Sequence, residues 1–143
     1  MKFLTSVILI VFSAVAVAQG QAHLDVQTSV QKHEVIVNDA GESEIRLVAA
    51  ELVVPGESVF YTITFTNVSN ESADNVVITN PIAEDLMYVD GSAFGPGMDI
   101  LFSVDGGVTF ATADELTVLE AGELRDAEAD DFTHVRGVKR YDL

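Results

Sequence analysis

Apolar and polar residues alternate with a period of two along most of the chain, in short stretches that stop at turn-forming residues. Leu24, Val26, Thr28 and Val30 fall on one face of an extended segment, with Asp25, Gln27 and Ser29 on the other. Val59, Tyr61, Ile63 and Phe65 do the same against a face dominated by threonine. A side-chain period of two belongs to a strand with one buried face, so these stretches cannot settle as helices. Further strands are predicted over Glu34 to Val37, Glu44 to Ala50, Asn75 to Thr79, Met87 to Val89, Ile100 to Val104, Val108 to Ala111, Leu116 to Leu119 and Thr133 to Val138. Turn signals separate them, among them Asn38-Asp39-Ala40-Gly41, Pro55-Gly56, Asp90-Gly91 and Asp105-Gly106-Gly107. Many short strands at even spacing predict an all-β fold, a β-sandwich or small barrel of about seven to nine strands. The stretch Ser58 to Val68 reads as its central core strand, joined as a hairpin to Asn75 to Thr79 through the polar segment Ser69 to Asp74. Helix is expected only as a short turn, in Asp114 to Leu119 or Ala121 to Glu128.

The first residues obey a different rule. Met1-Lys2 gives a positive start, Phe3 to Val17 is almost wholly apolar, and the run closes on Ala16-Val17-Ala18. It is short for a membrane span, and the small-x-small ending suits a signal peptidase. Residues 1–18 are therefore expected to be a signal peptide cleaved after Ala18. Of the 143 residues, removing 18 leaves 125, from Gln19 to Leu143, about the size of one domain.

The chain carries 23 Asp+Glu against 7 Lys+Arg, a formal net charge of −16. Loss of Lys2 with the leader takes this to −17. Such a surface repels nucleic acid and anionic lipid, and it suits salty surroundings where screening weakens self-repulsion. There are no cysteines, so an exported domain here is held by packing alone, and thiol catalysis, cysteine zinc sites and iron–sulfur clusters are excluded.

One ordered set of motifs goes further. Val54-Pro55-Gly56-Glu57 is followed by Tyr61-Thr62-Ile63-Thr64, Asn67, Ala73-Asp74-Asn75-Val76-Val77-Ile78-Thr79-Asn80-Pro81 and Tyr88-Val89-Asp90-Gly91-Ser92. In this the chain resembles the conserved-repeat family of bacterial and archaeal surface proteins, domain of unknown function eleven. The match is strongest from about Val53 to Ser92 and continues more weakly to Arg136. The resemblance implies an immunoglobulin-like β-sandwich used outside the cell as stalk, spacer or adhesive module, and it implies no catalytic residues. Similar chains continue past the His134-x-Arg136 strand into a last strand, where this one stops at Leu143. Three accounts stand side by side: truncation, filling of the gap by the N-terminal strand, or a strand donated by a partner.

The candidate chemistry is sparse. Ser103-Val104-Asp105-Gly106-Gly107-Val108-Thr109-Phe110 fits the Asp-box pattern, whose content is a capped hairpin turn rather than a reaction. The acids Glu120, Glu123, Asp126, Glu128, Asp130 and Asp131 form a run whose spacing matches no EF-hand. It reads as a solvated connection, with Asp126, Glu128, Asp130 and Asp131 the calcium candidates if a metal binds at all. Glu84-Asp85 and Asp114-Glu115 are adjacent loop acids with nothing to set them across a cleft. His23, His33 and His134 are scattered, and Asn67-Val68-Ser69 and Asn70-Glu71-Ser72 form loop sequons. No nucleophile elbow or phosphate loop is present. The expectation is a secreted periplasmic or cell-surface module, not an enzyme, that meets other envelope proteins or itself through strand edges. A filament subunit assembled by strand complementation is the first alternative, and a calcium-dependent surface or carbohydrate binder the second.

Overall fold

The computed structural model describes residues 15–17, 23–73 and 75–139, the first three by backbone only. The rest of the expected leader, its cleavage point at Ala18 and the end at Leu143 lie outside the described residues. The protein is all-β. Among the described residues the strands are β1 (Val15–Val17), β2 (Leu24–Val37), β3 (Ser43–Ala49), β4 (Val59–Asn67), β5 (Val76–Pro81), β6 (Met98–Ser103), β7 (Thr117–Glu120), β8 (Glu123–Asp126) and β9 (His134–Lys139). A 3-10 turn, Ala113–Glu115, lies before β7. No helix among the described residues is long and apolar enough to cross a membrane.

The chain divides into two compact units, one built on Gln27–Thr64 and the other on the residues to either side, up to Val26 and from Phe65. The first unit holds most of a three-stranded sheet in the order β3-β2-β4. Its hairpin is antiparallel, from Val37↔Ser43 to Gln31↔Ala49. The Asn38 side chain makes its turn, accepting the amides of Ala40 and Glu42 at 3.0 Å each, while Gly41 takes the positive φ of 80° that a side chain resists. β2 runs unbroken through Gln31-Lys32-His33, where polar residues on both faces suggested a gap. A ladder needs only backbone groups, and no Gly or Pro interrupts it there. β4 keeps the expected alternation, with Val59, Tyr61, Ile63 and Phe65 half-buried. It stands at the edge of its sheet, however, and β2 takes the centre.

The second unit holds the sheet β1-β5-β9-β6, antiparallel at every pairing, and the separate hairpin β7-β8. β5 is thus not the hairpin partner of β4. The polar segment after Asn67 takes the chain from one sheet to the other. Asn67 organises its start, donating from Nδ2 to the Glu71 carbonyl at 2.6 Å and accepting the Ser69 amide and hydroxyl.

The core of this unit is aromatic. Phe102 and Phe132 stack with centroids 4.4 Å apart, Tyr88 meets both at a tilt, and Leu116 completes the buried cluster. Tyr88 therefore belongs to a loop rather than to the strand expected over Met87 to Val89. Its hydroxyl accepts the Ala93 amide at 3.0 Å, satisfying the one polar atom that the half-buried ring carries inward. The helical turn considered for Ala121 to Glu128 is a strand, β8. That considered for Asp114 to Leu119 is reduced to the 3-10 turn, where Glu115 accepts the Thr112 hydroxyl at 2.8 Å.

Candidate functional site

The Asp-box segment is a loop whose ends are tied at Phe102 and Ala111, which exchange backbone hydrogen bonds of 2.8 and 3.1 Å. Only Ala111 of the stretch Val108 to Ala111 reaches a ladder, so the expected strand there is a single bridge. Ser103 is fully buried at the loop's start. Its hydroxyl donates to Asp105 Oδ1 at 2.7 Å and accepts the Gly107 amide at 2.9 Å. Asp105 also accepts the amides of Val108 and Thr109 and the Thr109 hydroxyl, the last at 2.6 Å. These donors, Thr109 first, hold the Asp105 carboxyl well below the usual carboxylate range. Both its oxygens are engaged within the turn, which is a structural use.

Thr133 of the neighbouring segment locks the loop to the sheet, accepting the Gly106 amide at 3.1 Å and donating to the Ser103 carbonyl at 3.1 Å. Gly107 has a φ of 85°, and a Cβ there would meet the His134 ring at 3.1 Å, so both backbone and space require glycine. Phe110 does not enter the aromatic core. The Arg136 guanidinium lies over its ring, 3.5 Å from the centroid, and Arg136 Nε donates to Thr79 Oγ1 at 2.9 Å.

The acidic run is organised by the one cation inside it. Arg125 grips Asp131 with two parallel bonds of 2.6 and 3.0 Å and donates from Nε to Glu120 at 2.7 Å. Asp131 also accepts the Glu128 amide at 2.8 Å, and its carboxyl is held low, chiefly by Arg125. Of the calcium candidates, Asp131 is thus spent on a bidentate ion pair, while Asp126, Glu128 and Asp130 are exposed. Among the described residues no three His, Asp or Glu side chains converge as a metal site would need. A single arginine in a run of acids is the signal that points to this arrangement, and the sequence reading passed over it.

The remaining candidates are equally local. Glu57 closes the Pro55-Gly56 turn by accepting the Val54 amide at 2.9 Å and pairs with Lys32 at 3.1 Å. That backbone bond first, and then Lys32, lowers its carboxyl. His33 packs on Phe60 with ring centroids 4.6 Å apart, and His134 Nδ1 lies 3.1 Å from Thr133 Oγ1. Glu84 and Asp85 form an exposed turn.

Two features stand out that side-chain motifs could not announce. One face of the β2-β3 hairpin is apolar and open: Val35 pairs with Ile45, and both are more than two-thirds exposed, beside Val37 and Leu47. The other is the outer edge of β5, on which β1 lies antiparallel. Comparisons of the chain with protein-family models, with curated proteins and with solved structures return no match.

Proposed function

We propose that the chain is an exported, non-catalytic, immunoglobulin-like module of the cell envelope that works through its strand edges and one open sheet face. The observation that carries this reading is the use of its polar side chains. Asp105, Glu57 and Asp131 each accept backbone amides and hold turns, so the loops are built as rigid supports. The apolar face of Val35, Val37, Ile45 and Leu47 supplies contact area, and residues of that kind in the open favour a partner surface. The ordered motifs from Val54 to Ser92 and the apolar leader support the envelope setting.

The test is expression of the whole chain in a bacterial host, followed by fractionation and intact-mass measurement. A chain outside the cytoplasm that begins at Gln19 is the expected result. A folded cytoplasmic chain that keeps Met1 overturns the export reading, and turnover of any substrate in a glycan panel overturns the non-catalytic one.

A further inference from the structure

β1 belongs to the segment that the proposed processing removes. Its residues Val15, Ala16 and Val17 pair antiparallel with Thr79, Ile78 and Val77 of β5. Cleavage after Ala18 takes that strand away and turns β5 into an edge of the remaining sheet β5-β9-β6. Natural edge strands are blunted by charge, proline or a bulge, because open backbone groups recruit further strands. β5 has no such device over Val76-Val77-Ile78-Thr79, four β-branched residues without a charge, and Pro81 comes only at its end. It stays regular through its whole pairing with β9.

Resting on the export reading above, we propose that this vacated edge is the self-association site of the mature protein, filled by β5 of a second copy. The pairing of β1 demonstrates that the edge takes an antiparallel strand at Val77 to Thr79. A two-fold axis normal to the sheet makes two copies of one strand antiparallel, and the same patch serves on both sides. It also requires a residue to face itself or its same-face neighbour, since opposite residues in a ladder share a face. Centring the axis on Ile78 meets this condition. Ile78 then stands opposite its own copy, in the register place that Ala16 holds, with Val77 opposite Thr79 and Val76 opposite Asn80. Ile78, 6% exposed on the buried face, meets its own copy at the centre of the junction, with the Val76–Asn80 pairs to either side of it on that face. The product is a six-stranded sheet in the order β6-β9-β5-β5-β9-β6. Each mature copy carries −17, so repulsion opposes the union and salt favours it; the screening length is about 10 Å at 0.1 M.

The experiment uses the processed chain, its start at Gln19 confirmed by intact mass, in sedimentation at rising salt. The expected result is twice the monomer mass, with the dimer fraction increasing with salt. The register is read by cysteine substitution, for which a chain without cysteine is suited. Ile78→Cys links two copies on mild oxidation, while Val76→Cys and the distant Ser43→Cys do not, circular dichroism confirming that all three are folded. Val77→Lys, folded by the same criterion, is monomeric. A chain that begins at Gln19 and stays monomeric, or equal linking at all three cysteines, overturns the edge pairing. Stable complexes formed only with another protein's strand also overturn it. A chain that still carries Met1 overturns instead the processing on which the edge depends.

Discussion

Asp105 is a residue whose charge is structural, and its linkage to pH follows from its bonds. A carboxyl held below its unfolded value contributes stability above the ordinary carboxylate pKa, and that contribution is lost as pH falls toward the folded value. The loop held by Ser103, Val108 and Thr109 therefore weakens below about pH 4. Chemical denaturation from pH 6 downward is expected to show a stability slope that is shallower in Asp105→Asn, which is also less stable at neutral pH. Equal slopes in the two proteins would place the acid sensitivity elsewhere, at Glu57 or Asp131, whose carboxyls are also held low. Phe102 sits in the aromatic core, stacked on Phe132 and tilted against Tyr88. Phe102→Ala removes a ring from a dense cluster and is expected to cost about 3–5 kcal/mol in urea unfolding. A loss below about 1 kcal/mol would mean that the cluster collapses onto the gap.

At the scale of the element, the β7-β8 hairpin turns on Ala121 and Gly122, both at positive φ, 51° and 90°. Two such residues in a row make a type I′ turn, in which alanine is a poor choice for the first place. Ala121→Gly is expected to stabilise by up to about 1 kcal/mol, seen as a raised Tm, since the left-handed cost exceeds the extra chain entropy of glycine. A lowered Tm would show the entropy to be the larger. The same turn explains why β8 was not legible in the sequence. Ala-Gly lacks the side chains that announce hairpins, and Glu123-Leu124-Arg125-Asp126 is too charged to read as a strand. What was legible is the alternation itself, which gives β4 to within a residue and locates β3, β6 and β9. Pairing was not, because alternation records one strand's faces and nothing about its neighbour. Hence β4 and β5, close in sequence across a polar loop, read as a hairpin although they lie in different sheets. The Asp105 turn was legible because Ser103, Asp105, Gly107 and Thr109 each meet a hydrogen-bonding or backbone requirement of the turn. The pairing of β1 along the outer edge of β5 was not, since an edge is a property of backbone placement.

Across the whole molecule the dominant quantity is a net charge of −16 in 143 residues. Self-repulsion of that size works against any compact state and is weakened by screening. Thermal melts are expected to rise from low salt and to level off above physiological ionic strength, where the screening length is already about 8 Å. A flat response would mean that the acids are neutralised locally, as Asp131 is by Arg125. The order of β5-β9-β6 has a temporal consequence. Its middle strand is the last of the three to be synthesised, so β6 has no ladder to join until residues 134–139 have followed it. Contacts this distant along the chain close slowly. A nascent chain built in this order can form β3-β2-β4 early, but it cannot close β5-β9-β6 until its last strand has been made.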